Sequence, residues 1–338
     1  MRIAAFTGSV TASSRRFRLL QYLGCLSNFG IQVDEFVANF GSWPPSNRYQ
    51  RPFWLLATLA DRVVPVLESR RYDLTFLQRE LISTLYTLER FTGRPRVLDI
   101  DDAVWLGGQR AKRSVSALAR GSDAIICGNN YIAETVSRWN RQTVVLPTAV
   151  DTERFFIQRR IFDGTKIIGW SGSYSGLKYL LEIERPLLQV LEARPNAVLR
   201  VVSDLRPRFR FIPNDRVEFL QWSPENEAIT IQEMDIGLMP LDDTEWVLGK
   251  CSYKMLLYMS CGVPVVVSPY GMNREILALG NIGLAPIQLD AWRDSIINLL
   301  DNDKERIELG DSGRMVVEEH YSLDRIGSSL AKFISSFE

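Results

Sequence analysis

Short apolar runs separated by amphipathic stretches recur along this chain, and that alternation limits its fold more than any other feature. In the first half the runs are RIAAFTG, QVDEFVA, DLTFLQ, RVLDID, AIICG and TVVLPT. Helices are expected between them near residues 15–28, 52–70, 80–92, 113–120 and 130–139. The second half repeats the plan with KIIGWSG, AVLRVVSD, VEFLQW, DIGLMP, PVVVSP and IGLAP, separated by helices beginning near Gly176, Asn226, Lys250, Met272 and Ala291. Strands alternating with helices read as parallel sheets covered on both faces. The expected fold class is α/β, with two Rossmann-like doubly wound domains.

A chain of 338 residues can supply each domain with its own core. The expected boundaries are 1–150 for the first domain, 151–164 for a linker without clean helical or strand period, and 165–322 for the second, with residues 323–338 as a last helix. The formal charge of zero hides an asymmetry: residues 1–150 hold 19 Arg plus Lys against 12 Asp plus Glu, and the remainder 21 against 28. A basic half of this kind, nearly all arginine, points to an anionic membrane surface or lipid phosphate. Nucleic acid is not expected, since no aromatic-rich RNA motif, zinc knuckle or basic recognition helix is present. The four cysteines have no CxxC spacing, so neither a metal site nor a disulfide framework is expected, and a reducing cytoplasm fits. The N-terminus turns polar too early for a signal peptide, and no apolar run approaches the roughly 18 residues that cross a bilayer.

The chemistry concentrates at residues 249–276, GKCSYKMLLYMSCGVPVVVSPYGMNREI. Lys250 and Lys254, four residues apart, would share one face of a helix start whose backbone N–H groups attract a diphosphate. Met255, Leu256, Met259 and Cys261 would bury the opposite face, Gly262 and Pro264 stop the helix, and Gly271 and Asn273 let the next turn approach a ligand. This segment is similar to the donor-nucleotide signature of GT-B glycosyltransferases of retaining family 4. The resemblance spans nearly the whole chain and is strongest from Ile167 to Ile276. It implies two domains facing an interdomain cleft, with the first on the acceptor side, the second binding a nucleotide sugar, and the last helix returning to the first domain.

Further segments fit that resemblance. Thr7-Gly8-Ser9 makes a tight turn before Arg15, Arg16 and Arg18, so backbone donors and guanidinium groups would converge, with Gly8 and Ser9 against the donor phosphate or the acceptor. Asp101 and Asp102 follow the fourth strand, where ligands bind in open sheets. One of them is expected on sugar hydroxyls or the acceptor, the alternative being a helix N-cap. Ser171, Gly172 and Ser173 end the first strand of the second half ahead of Lys178, the lysine candidate for the donor diphosphate. Trp222, with Pro224 two residues on, either packs between sheet and helix or borders the nucleotide base. Cys251, Ser252 and Tyr253 complete the phosphate-facing helix start with Lys254, and the Asp242–Trp246 loop could reach the transferred sugar. Trp43–Trp54 reads either as a rigid surface connection or as a contact for lipid headgroups or a glycan. His320, the single histidine, reads as a helix-end residue.

Two departures stand out. Family members carry paired glutamates that grip sugar and ribose hydroxyls, and the matching positions here are Gly249 and Leu257; a histidine near the donor sugar is missing as well. GKCSYK and LLYMSCG instead resemble a bacterial branch of the family that lacks both glutamates. The resemblance implies a retaining hexosyltransferase that moves a glucose-type hexose from a UDP-sugar to a saccharide or lipid-linked acceptor, with Lys178 and Lys250 stabilising the leaving diphosphate and no metal required. The expected setting is envelope or extracellular polysaccharide synthesis, in the cytoplasm or peripherally at the inner membrane face. The alternatives are a non-catalytic glycosyltransferase-like subunit, motivated by the missing glutamates, and a nucleotide-sugar epimerase.

Overall fold

A computed structural model describes residues 1–158 and 164–338. Part of the expected linker, residues 159–163, lies outside the described residues. The chain divides into two compact units: Met1–Ala149 with Leu248–Cys251 and Leu323–Glu338, and Val150–Val247 with Ser252–Ser322.

In the first unit β1 (Arg2–Phe6), β2 (Gln32–Phe36), β3 (Leu74–Gln78), β4 (Arg96–Ile100), β5 (Ala124–Cys127) and β6 (Thr143–Val145) form a sheet in the order β2-β1-β3-β4-β5-β6. Every neighbouring pair is parallel, with Ile3 opposite both Val33 and Leu74. In the second unit β7 (Lys166–Ser171), β8 (Ala197–Ser203), β9 (Val217–Gln221), β10 (Ile236–Met239), β11 (Val265–Val267) and β12 (Gly283–Leu284) are likewise all parallel, in the order β12-β11-β10-β7-β8-β9. The helices of the first half are α1 (Ser13–Arg18), α2 (Leu23–Asn28), α3 (Arg51–Glu68), α4 (Gln109–Gly121) and α5 (Asn130–Val136). Those that follow are α6 (Leu177–Glu182), α7 (Glu184–Ala193), α8 (Glu227–Gln232), α9 (Glu245–Leu248), α10 (Tyr253–Ser260), α11 (Met272–Leu277), α12 (Leu289–Asp301), α13 (Asp303–His320) and α14 (Leu323–Ser335).

Side-chain alternation along the strands explains why helices cover both faces of the first sheet. Ile3, Ala5, Leu74 and Phe76 point into a core with Leu26 of α2 and Leu330 and Ile334 of α14. Ala4, Phe6, Leu77 and Leu98 point the other way, onto Val66 of α3, Val115 and Leu118 of α4, and Ile132 of α5. In the second unit Ile168, Trp170, Leu199, Val201 and Leu238 pack with Leu187 of α7 and Trp292 and Ile296 of α12.

Three expectations are corrected. Residues 80–92 do not form a helix; they hold only a short turn at Glu89–Phe91 and a bridge between Ile82 and Leu85. The buried Glu89 carboxylate accepts the backbone N–H groups of Leu81 and Thr87, and side-chain bonds of that kind compete with the helical ladder. The helix expected over 15–28 is broken at Leu19, whose backbone leaves helical space at φ −135° and ψ −62°. The helix expected from Lys250 begins at Tyr253, and it buries every residue from Met255 to Ser260 rather than one face.

Close packing in the second unit gives one test of stability. A methyl group on Gly310 of α13 would overlap the carbonyl oxygen of Gly262 and sit 2.8 Å from its carbonyl carbon. No side chain can rotate away, because the obstacle is backbone. Gly310→Ala is expected to cost roughly 2–3 kcal/mol, read as a lower urea midpoint, and an unchanged midpoint would show that α13 can shift.

Candidate functional site

The carboxyl ends of the second sheet's strands gather cations and backbone donors. The chain leaves β7 at Ser171, whose N–H donates to the buried Tyr258 hydroxyl at 2.7 Å. Gly172 N–H continues the pairing to Val202 O at 2.9 Å. The next turn is tied to the end of β8 by Tyr174 N–H donating to Asp204 Oδ1 at 2.5 Å, while Ser173 is exposed.

Lys254, in the first turn of α10, reaches this strand end. Its Nζ lies 4.5 Å from the centroid of the Trp170 ring, a cation–π contact on a side chain that is itself buried. Any side chain at Gly172 would overlap the Lys254 ammonium and stand 2.6 Å from its Cε, so the glycine leaves the slot the ammonium occupies. The helix start is held by Ser252, in the left-handed region at φ 49°. Its hydroxyl donates to Asn273 Oδ1 at 2.6 Å, and Asn273 Nδ2 donates to Ser268 O at 3.0 Å. Asn273 is fully buried, so it braces the helix start instead of easing a ligand's approach. Gly271, at φ 54°, is the residue of that turn whose backbone needs glycine. A helix start with backbone donors and an ammonium is a general anion site.

Lys178 is exposed on α6, with Nζ 4.4 Å from the Tyr179 ring centroid. The hydrogen bond with Tyr179 raises the Lys178 pKa above the usual lysine value. Lys178, Tyr174, Leu205, Arg206 and Arg208 line an open groove of about 640 Å³. Trp222 is half-buried, and its indole N–H donates to Glu227 Oε1 at 3.2 Å, which orients the ring along α8. Pro224 O accepts from the Arg154 guanidinium.

The first unit assembles a different constellation. Arg79 stands at φ 62° and donates through Nε to Asp101 Oδ1 at 2.9 Å. Burial alone would raise the Asp101 carboxyl, but Arg79 outweighs it and holds the pKa below the usual value. Asp102 is raised instead: burial dominates, with Lys250 opposing it. Lys250 Nζ lies 3.5 Å from Asp102 Oδ2. Asn129 Nδ2 donates to Leu248 O and Lys250 O, each at 3.0 Å, and Cys251 Sγ to Asp101 O at 3.0 Å. These bonds attach Leu248–Cys251 to the first unit.

Two site expectations are therefore corrected. Lys250 and Lys254 do not share a helix face: Lys250 precedes the helix and pairs with Asp102, whereas Lys254 lies over Trp170. The guanidinium groups after Gly8 and Ser9 do not converge. Arg15 Nε and Nη2 donate to Glu35 at 2.6 and 2.7 Å, while Arg18 is buried on Asp99. Carboxylates on β2 and β4 draw Arg15 and Arg18 of α1 in different directions. Gly249 sits where a side chain would stand 2.7 Å from Ala103 N, so it has no room for a glutamate, and Leu257 is buried at 3% exposure, where a carboxylate would lose its hydration. His320 ends α13.

Sequence reasoning did not single out Trp170, Arg79 or Asp204. Trp170 looks like any core residue of a strand, and the left-handed backbone of Arg79 has no sequence mark. Arg206 and Arg208 did carry a signal, as cations just beyond a strand end. Among the described residues, no three His, Cys, Asp or Glu side chains are grouped to hold a metal ion.

Fold and strand-end geometry together define a doubly wound α/β protein whose second unit carries Lys254 and backbone donors at a helix start. Residues 165–302, which contain that helix start, match the family model described as Glycosyl transferases group 1. No curated protein matches the sequence. Among solved structures, sucrose-phosphate synthase from Thermosynechococcus elongatus is similar at 15% identity and TM-score 0.74, covering 99% of this chain and 98% of that one. Anabaena HepE, solved in complex with UDP and glucose, is similar at 15% identity and TM-score 0.72, covering 99% and 100%. WaaG, a glycosyltransferase involved in lipopolysaccharide biosynthesis, follows at 12% identity and TM-score 0.69, covering 98% and 99%. The fold is that of these GT-B proteins: two parallel six-stranded sheets with flanking helices.

Proposed function

We propose that this chain is a retaining, metal-independent glycosyltransferase of the family 4 type, from a branch without the paired glutamates. It moves a glucose-type hexose from a UDP-sugar to a hydroxyl of a saccharide or lipid-linked acceptor. The observation that carries the reading is the Lys254 ammonium held over Trp170 beside Gly172, within the stretch that matches the glycosyl transferases group 1 model. The UDP and glucose bound by HepE support the choice of donor.

In this reading the second unit binds the nucleotide sugar. Lys254, Lys178 and the backbone donors at Ser252 and Tyr253 stabilise the leaving diphosphate, and Ser171, Gly172 and Ser173 line its approach. Preorganised donors of this kind are worth about 3–4 kcal/mol each to a transition state. Trp222 and Pro224 border the base. The bond from the anomeric carbon to the diphosphate oxygen breaks as the bond to the acceptor oxygen forms on the same face, and the diphosphate takes the acceptor's proton. The first unit serves the acceptor, with Gly8, Ser9, Asp101 and Asp102 as its polar groups, Lys250 placing the Asp102 carboxylate and Cys251 bracing the Asp101 backbone. The product belongs to envelope or extracellular polysaccharide synthesis, made in the cytoplasm at the inner face of an anionic membrane. Among the described residues no helix is long and apolar enough to cross a membrane.

Calorimetric titration with UDP-, GDP- and ADP-sugars in the presence of chelator tests the reading. Selective binding of a UDP-sugar is expected, followed by transfer with an anomeric NMR signature that matches the donor. Absence of binding across the panel would favour a non-catalytic subunit, the reading that the missing glutamates at Gly249 and Leu257 suggest.

A further inference from the structure

Helix α3 turns an uncharged apolar stripe to solvent. Thr58, Arg62 and Val66 face inward and are buried, and Arg62 donates to Phe36 O and Thr7 O, each at 2.8 Å. The opposite side presents Phe53 at 76% exposure, Leu56 at 66%, Val64 at 59% and Leu67 at 52%, with Ala60 and Val63 also exposed between them. Their spacing, three and four residues in turn, places them on one side of the helix. The preceding loop adds Trp43 at 68% and Tyr49 at 79% exposure. It is tied to the helix by Trp54 Nε1 donating to Phe40 O at 2.8 Å and Arg51 Nε donating to Pro45 O at 3.1 Å. Exposed arginines stand at both ends: Arg48 and Arg51 at the start, Arg70 and Arg71 just past the last turn. The acids of the helix are Asp61, bonded by Asn39, and Glu68.

We infer that this face of α3 is a docking surface for an anionic lipid bilayer, with the stripe entering the acyl boundary and the four arginines meeting lipid phosphates. The charge pattern selects this occupant. A second copy of the chain laid along the stripe, parallel or antiparallel, would bring arginines against arginines at both ends, whereas an anionic bilayer neutralises all four. Aromatic and aliphatic side chains between basic residues are what an interfacial helix needs, and a contiguous exposed apolar patch marks an interaction site. The inference deepens the proposed location at a membrane by naming the surface that makes it.

The test is co-sedimentation of the full chain with vesicles of phosphatidylcholine alone or with about one-third phosphatidylglycerol. Binding is expected to the anionic vesicles only, and to weaken with salt. Phe53→Ser with Leu56→Ser should lower the partition coefficient about a hundredfold, and Arg70→Glu with Arg71→Glu roughly thirtyfold. These positions are exposed, and Arg70 gives up only a surface hydrogen bond from Nε to Phe91 O, so melting should change little and UDP-sugar binding not at all. Absence of vesicle binding, or equal binding by both variants, overturns the inference. So does a dimer in analytical ultracentrifugation that Phe53→Ser with Leu56→Ser converts to monomer. Loss of vesicle binding with UDP-sugar binding intact fails this inference alone; vesicle binding without nucleotide-sugar binding fails the transferase reading alone.

Discussion

Arg18→Ala is expected to destabilise the first unit by about 3–5 kcal/mol, the cost of leaving a buried charge without its partner. Arg18 and Asp99 are 4% and 1% exposed. The guanidinium donates to Asp99 Oδ1 from Nη2 at 2.5 Å and to Oδ2 from Nε at 3.1 Å, and Nη1 donates to Leu146 O at 2.8 Å. Burial works against charging Arg18, yet Asp99 more than offsets it and the arginine's pKa is raised. Truncating Arg18 removes that compensation and leaves the carboxylate among the ends of β3, β4 and β5. Replacing both partners by apolar residues of similar volume, Arg18→Met with Asp99→Leu, should recover most of the loss, because no lone charge then remains buried. Urea unfolding followed by far-ultraviolet circular dichroism measures both. A single-variant loss below about 1 kcal/mol would show that water reaches the pair and that the network is a surface one.

Lys254→Ala is expected to weaken UDP binding by about 2–4 kcal/mol, roughly thirty- to a thousandfold, the range for deleting one member of a desolvated charge-assisted contact. Trp170 and the slot at Gly172 hold the ammonium in place before any ligand arrives, so little side-chain entropy is lost on binding. Lys254→Met separates charge from packing, since it keeps the stem over the Trp170 ring and removes only the ammonium. Both variants should lose UDP affinity alike while melting unchanged. Gly172→Val should mimic them by occupying the slot. If calorimetry finds UDP affinity unchanged in Lys254→Met, the diphosphate is not held here, and Lys178 with Arg206 and Arg208 in the neighbouring groove becomes the next phosphate site to test.

How legible the site was depended on how local its determinants are. Lys254, Ser252 and Tyr253 could be placed at a helix start because the apolar run from Met255 and the stop at Gly262 and Pro264 are nearest-neighbour signals. The partners they would meet were not legible. That Lys250 turns to Asp102 four residues before Lys254 reaches Trp170 depends on which unit each backbone segment packs against. Asn129 decides that from 119 and 121 residues away in sequence. Likewise Arg15, Arg16 and Arg18 read as one basic cluster, and only the carboxylates of Glu35 and Asp99 on separate strands show that it is divided.

By itself the sequence determined the elements that repeat with a period: both sets of six strands, their order along the chain, and most of the helices between them. Those follow from side-chain alternation and helical spacing, which need no distant partner. Tertiary structure decided the rest. It turned 80–92 into a loop because the buried Glu89 captures backbone donors, put a left-handed Ser252 at the head of α10 because Asn273 holds its hydroxyl, and closed Gly249 against Ala103. Each of these outcomes depends on a contact between residues that the periodic pattern does not relate, so only the folded chain brings the two sides together.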